Sequence, residues 1–255
     1  MYRMRRKKMT DATQQTLVTE TEQKPGSRLN MDTGLLKIIA ILSMTIDHVG
    51  YVLLPDVGIL RWIGRLALPI FAYCLMVGLE HTRSVKKYLA RLLIMAVIAQ
   101  PLFLWSFFSE DIRGNLFYLN TLFTLFLGLY AMWGFKEKKW GRFLLGFILL
   151  GIIPCDYGLI ALVYMMIFYL CKDKPLLTAG LVMLYNIKDN YLLYNVDHPM
   201  YINVGPIALF VQYAAVLSLL PICIRTNTGI RLPKWFFYAF YPLHLLAICL
   251  IRQFL

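Results

Sequence analysis

Residues 35–54 read LLKIIAILSMTIDHVGYVLL, an apolar run of 20 residues interrupted by Lys37, Asp47 and His48. A helix of that length rises about 30 Å, the thickness of a bilayer's hydrocarbon layer. The short turn Pro55-Asp56-Val57-Gly58 follows, and a second apolar run begins at Ile59. The two helices must therefore lie side by side and antiparallel. Across the chain, 59% of the 255 residues are hydrophobic, 16% are charged and the mean hydropathy is +0.61. Soluble domains of this size carry about 45–50% apolar residues and roughly a quarter charged. A disordered chain, a collagen and a disulfide-stapled miniprotein are all excluded by this composition.

The expected architecture is all-α: a polytopic integral membrane bundle of about nine transmembrane helices. The runs are 35–54, 59–79, 88–108, 116–133, 143–154, 157–170, 176–193, 204–224 and 235–255. The fifth and sixth are short, and the turn between them, Pro154-Cys155-Asp156-Tyr157-Gly158, reads as a hairpin tip recessed in the membrane. Lysine and arginine favour cytoplasmic loops, and this rule sets the orientation. With the amino end cytoplasmic, 20 of the 26 Lys and Arg fall on that side, and only Arg113, Lys188 and Arg252 fall outside. The alternation requires the short pair to cross twice. Residues 1–30, basic and then polar, read as a disordered cytoplasmic tail, and 31–255 as one transmembrane domain.

The formal charge of +12 lies in these short loop clusters, which argues against a nucleic-acid partner. The five cysteines show no C-x-x-C spacing and read as small apolar residues, so neither a metal nor a disulfide framework is expected. Phosphate-binding glycine loops, H-E-x-x-H and nucleophile elbows are missing from the sequence.

Ionisable side chains within a spanning helix are costly, so each is a candidate for function. Asp47 and His48 lie in the outer half of the first helix, and Arg61 and Arg65 are one turn apart on the second at a comparable depth. Asp47 and Arg65 can meet, either to fix the hairpin or to serve a site. Lys37 precedes His48 by eleven residues, close to three turns, which places both on one face about 16 Å apart. Lys37 either snorkels to the interface or clamps the phosphates of a long carrier such as coenzyme A. Gln100 precedes Pro101 in the third helix. Asn120, with Thr121 and Thr124, enters the fourth, where bonding between helices is the common role of such residues. Asp156 either caps its turn or joins a site with Tyr157. Tyr241 and His244 lie near the midplane of the last helix. His81 and Arg83, beside Glu80 and Thr82, form either a polyanion site or a solvated helix end. The outer loop 186–203, with Asp189, Asp197 and His198, is the expected acceptor surface.

Taken in order, Asp47-His48, Gly64-Arg65-Leu-Ala-Leu-Pro69-Ile-Phe71, Gly78-x-x-His81-Thr82-Arg83, Gln100-Pro101, Asp156-Tyr157-Gly158 and Tyr241-Pro242-x-His244 resemble the TraX family. These are membrane proteins named after the F-pilin acetylase of conjugative systems. The likeness runs from Leu35 to the end. The spacing Lys37-x10-His48 is also similar to the Arg/Lys-x10-His motif of the membrane acyltransferase-3 group, with Lys in place of the usual Arg. The resemblance implies a multi-pass protein of the cytoplasmic membrane that transfers acetyl from acetyl-CoA to an envelope protein or glycan. It implies His48 as base, with Asp47 and Arg65 beside it. Arg65 or Gln100 would stabilise the oxyanion, and Lys37, Arg61, His81, Arg83, Asn120, Asp156, Tyr157, Tyr241 and His244 would bind substrate or donor. Two rivals are a proton-coupled transporter with Asp47, His48, Arg65 and His244 as relay, and a non-catalytic assembly factor. The transporter reading expects inverted repeats, which the sequence does not display.

Overall fold

Asp32 starts the first helix. Its carboxylate accepts from the Leu35 amide and, across the chain, from the backbone and hydroxyl of Thr228. Those bonds hold the Asp32 carboxyl below the usual carboxylate range and tie residues 226–228 to the start of α1 (Thr33–Val52). The computed structural model describes residues 29–187, 193–194, 201–204, 207–230 and 233–254. Met1 to Arg28, Lys188, Asp189, Asp197 and His198 lie outside the described residues, and with them most of the expected tail and the acceptor loop. Leu29 and Asn30, counted with that tail by composition, are instead fully buried. The Asn30 amide donates to the Pro221 carbonyl and to Thr226, and Tyr73 donates to the Asn30 carbonyl.

After α1 come α2 (Gly58–Gly64) and α3 (Ala67–His81), one apolar path broken at Arg65-Leu66. Pro69 explains the break: it has no amide proton for the Arg65 carbonyl one turn earlier, and its ring crowds that carbonyl. There follow α4 (Val85–Phe107), α5 (Thr121–Lys136), α6 (Trp140–Ile152), α7 (Leu159–Leu170) and α8 (Pro175–Ile187). Strands β1 (Leu193–Tyr194), β2 (Tyr201–Val204) and β3 (Ile207–Phe210) form an antiparallel sheet in the order β1-β3-β2. A 3-10 helix (Val211–Ser218), α9 (Leu219–Cys223) and α10 (Lys234–Arg252) complete the chain.

The architecture is helical, as expected, and four helical spans are long and apolar enough to cross a membrane: Thr33–Val52, Gly58–His81, Val85–Phe107 and Trp235–Arg252. The expected helix over 204–224 is a correction. Its place is taken by the end of β2, β3, the 3-10 helix and the five-residue α9. Apolar content alone does not separate helix from strand in short runs, and Gly205-Pro206 opposes helix at its start. The expected helix 176–193 stops at Ile187, and the fourth begins at Thr121 instead of Leu116 because Asn120 caps it.

Large apolar side chains face outward, among them Ile94, Val97 and Ile98 on α4 and Leu144, Ile148 and Ile152 on α6. Such surfaces suit lipid and not water. The basic loops gather at one end of the bundle. There Lys136 Nζ donates to the Leu79 carbonyl at 2.8 Å, Lys172 pairs with Glu80 at 2.5 Å, and Asn30 meets Thr226. At the other end the turn between α6 and α7 is tied to the residue before Asn120: the Leu119 amide donates to the Pro154 carbonyl and the Asp156 amide to the Leu119 carbonyl.

Two glycines set how closely α1 and α2 approach. A Cβ on Gly64 would sit 2.2 Å from the Asp47 side chain, and one on Gly50 would sit 2.6 Å from Leu60 Cβ. Gly64→Ala should therefore cost about 1–3 kcal/mol by overpacking and lower the melting temperature in detergent. Gly180→Ala in α8, where a Cβ meets nothing within 4 Å, should leave it nearly unchanged.

Candidate functional site

Asp47 projects from α1 into the gap that Gly64 opens. Arg61 and Arg65, four residues apart on α2 and at its end, converge on it from one face. Arg61 Nη1 donates to Asp47 Oδ2 at 2.7 Å, and Arg65 Nη2 donates to Oδ1 at 2.9 Å. Arg61 Nη1 also reaches the Asp47 carbonyl at 3.2 Å. All three residues are buried. The Arg61 guanidinium lies 4.8 Å from the Tyr51 ring centroid, and that of Arg65 lies 5.7 Å from Tyr157. Asp47 and Arg65 meet as their spacing suggests. Arg61, assigned to donor binding by resemblance, is instead the second partner of Asp47. Each carboxylate oxygen accepts from one guanidinium, so Asp47 holds the two arginines in place.

His48 points to a different helix. Its Nδ1 lies 2.8 Å from His244 Nε2 on α10, with the rings stacked at 5.0 Å. His244 Nδ1 lies 3.0 Å from the Phe240 carbonyl. The Phe107 ring meets His48 edge-on at 5.0 Å, and Tyr241 stands 6.4 Å away. The pairing was not legible in the sequence: 196 residues separate the two. Both imidazoles are buried.

Gln100 and Asn120 bond to each other and to the backbone, Asn120 in the interhelical role expected of it. Gln100 Nε2 donates to the Tyr118 carbonyl at 2.7 Å, and Gln100 Oε1 accepts from the Asn120 backbone and side-chain amides. Asn120 Nδ2 also donates to the Ala96 carbonyl, and Asn120 Oδ1 caps α5 at Leu122. Their polar groups join α4 to α5, as polar side chains between membrane helices commonly do. Asp156 is held in the same way, by the Thr121 hydroxyl at Oδ2 and by Thr124 at its carbonyl. Beside it Tyr157 has φ +66°, a strained conformation for a non-glycine residue, and this turns its ring onto Arg65.

A cavity of about 470 Å³ links the two ends of this arrangement. Lys37, Arg91 and Thr33 line it at the end where α1 begins, and Thr121, Tyr157 and Tyr241 line it deeper in. Between them its walls are apolar, including Met44, Phe71 and Leu125, and among the described residues no Asp or Glu lines it. His81 and Thr82 also line the mouth, with His81 Nδ1 2.8 Å from the Val77 carbonyl, whereas Arg83 is exposed and lines no part of it. Arg91 was missed as a site residue because its place in a run of loop cations made it look like a membrane-surface charge. His48 is not among the lining residues. It lies one turn beyond Met44, behind Tyr241. The Tyr241 hydroxyl is buried at the cavity's deep end beside Thr121, without a well-formed hydrogen bond. Among the described residues, no group of three or more His, Cys, Asp or Glu side chains is placed to hold a metal.

A TraX protein family model matches residues 32–252. The chain belongs to the TraX family. Among its relatives, a probable fimbrial assembly protein, FimC of serogroup H1 from Dichelobacter nodosus, is 32% identical over 86% of this chain and 95% of its own length. An uncharacterized protein of Rickettsia prowazekii is 30% identical over 55% of this chain and 56% of its own length. No solved structure matches. All the site residues of this TraX-family chain named above lie within the matched region.

Removing one member of a buried ion pair leaves an uncompensated charge, at about 3–5 kcal/mol. Asp47→Ala should therefore be severely destabilised in detergent melts. Adding Arg61→Met and Arg65→Met to it should restore much of the loss, because the stranded cations are then gone.

Proposed function

We propose that this TraX-family chain is a cytoplasmic-membrane acetyltransferase. It takes acetyl from acetyl-CoA and passes it to an amine or hydroxyl of an envelope protein or glycan. The observation that carries the reading is the joint placement of a cavity and a base. Among the described residues, Lys37 and Arg91 flank a mouth without carboxylates, the throat is apolar, and the paired imidazoles of His48 and His244 stand behind the deep end. Two cations suit the phosphates of the donor, and an apolar throat suits its long arm. The start of α1 faces the cytoplasm in this reading, because the basic loops collect at that end. The fimbrial assembly relative points to a pilin-like acceptor.

In the reaction, the acceptor's nitrogen or oxygen attacks the thioester carbonyl as His48 takes its proton. The Tyr241 hydroxyl donates to the oxyanion, with the positive charge of Arg65 nearby. The carbon–sulfur bond then breaks, and the departing thiolate recovers the proton from His48. General-base assistance of this kind contributes about 10²–10⁴-fold. A nine-crossing topology with the carboxyl end outside belongs to the same proposal, with the region from β2 to α9 serving as the irregular eighth crossing.

A non-catalytic role in fimbrial or conjugative assembly is the second reading. It is favoured by the pairing of Asp47 with two arginines and by the absence of His48 from the cavity wall.

Labelled acetyl-CoA separates the two. Purified protein should hydrolyse it slowly or pass label to membrane components, and His48→Ala should abolish this while still inserting and folding. The double variant Lys37→Ala/Arg91→Ala should raise KM for acetyl-CoA with kcat largely kept. Mass spectrometry of surface proteins and glycans from a deletion strain should show the acetyl increment missing from one species. A fully active His48→Ala removes the base assignment, and no turnover by the wild type favours the assembly role.

A further inference from the structure

Hydrogen bonding fixes which ring nitrogens of the buried histidine pair carry a proton. The Phe240 carbonyl can only accept, so His244 Nδ1, 3.0 Å away, carries a hydrogen. In a neutral imidazole the other nitrogen then bears a lone pair, so His244 Nε2 is an acceptor. His48 Nδ1 lies 2.8 Å from that lone pair, a contact that holds only if Nδ1 donates a hydrogen. His48 Nε2 is thereby left without one. The opposite assignment would set two lone pairs against each other in a buried site. The aromatic surroundings hold the rings in place: Phe240 stacks on His244 at 5.4 Å, and the edge of Phe107 closes on His48 at 5.0 Å.

We propose that His244 is the positioning residue for His48: it holds His48 in the Nδ1–H tautomer, makes Nε2 the basic atom and, by accepting from Nδ1–H, stabilises the positive charge the ring gains when that atom takes up a proton. The catalytic part of this proposal rests on the acetyltransferase reading, but the tautomer does not. The acceptor's N–H or O–H bond breaks and a new N–H bond forms at His48 Nε2. The bond from His48 Nδ1–H to His244 Nε2 then becomes charge-assisted and shorter. When the thiolate leaves, it takes the proton back from Nε2, and both rings return to their starting state. A carboxylate does this service for histidine in hydrolase triads. Here Asp47 is committed to two arginines and the last helix supplies a neutral imidazole instead. His244 is not assigned to substrate or donor binding, because both its nitrogens are engaged within the protein.

The chain has four histidines, so a nitrogen-15 histidine label on the full-length protein in nanodiscs yields an assignable spectrum. In the wild type, His48 should show a protonated Nδ1 and a bare Nε2, the tautomer that free histidine favours less. In His244→Phe, His48 should shift towards the Nε2–H form, and in His244→Gln, whose amide oxygen still accepts, it should stay as in the wild type. A wild-type His48 in the Nε2–H form, or a spectrum unmoved by His244→Phe, overturns the proposal. If the Phe variant does not fold, the wild-type and Gln spectra still decide. In acetyl transfer, His244→Phe should lower kcat on the order of 10²-fold with KM for acetyl-CoA unchanged, and His244→Gln should recover most of it. A His244→Phe enzyme with wild-type kcat also overturns the proposal. Wild-type protein that transfers no acetyl removes the acetyltransferase reading alone, since the tautomer is read without turnover.

Discussion

One carboxylate between two guanidiniums organises one half of this molecule. Charges taken out of water are stable only when their partners and geometry are nearly complete, and Asp47 meets that condition with both oxygens occupied from one helix face. The consequences run outward. The pair of arginines demands a close approach of α1 and α2, which Gly64 and Gly50 permit. Arg65 sits where Pro69 interrupts the helix, and its guanidinium reaches across to Tyr157 at the turn between α6 and α7. The turn is held in place by Leu119, Thr121 and Thr124 at the start of α5, so the ion cluster, the hairpin tip and the α4–α5 junction act as one polar layer.

Around that layer the apolar helices leave a cavity that is polar at its two ends only. Its mouth carries Lys37 and Arg91, and its deep end carries Thr121, Tyr157 and the Tyr241 hydroxyl. The histidine pair stands just beyond. The division of labour follows from partners: Gln100, Asn120 and Asp47 bond to other parts of the protein, whereas Tyr241 Oη makes no well-formed hydrogen bond and His48 Nε2 carries no hydrogen in the assigned tautomer. Groups of the latter kind are those a substrate can recruit.

Much of this was legible in the sequence because the bilayer imposes a strict vocabulary. Apolar runs of about 20 residues give the long helices. The four-residue turn at Pro55 forces α1 and α2 together, and the one-turn spacing of Arg61 and Arg65 brings both to Asp47. The Asp156 turn followed from two runs too short to cross alone. The segment over 204–224 failed because hydropathy measures burial and says little about backbone conformation. Gln100, Asn120 and Arg61 were assigned to substrate because sequence shows which groups are polar and does not show what they already bind.

Sequence alone determined that this is a helical chain with membrane-spanning apolar runs, that its basic residues fall in alternate loops, and that an acid, an imidazole and two arginines share a depth. Those features depend on local length, spacing and hydropathy, which are properties of contiguous residues. Only tertiary structure decided that His48 meets His244, that Arg91 joins Lys37, and that His48 stands behind the cavity wall and not on it. Such contacts join helices far apart in the chain, and their geometry is set by how side chains pack across the bundle, which no local pattern encodes.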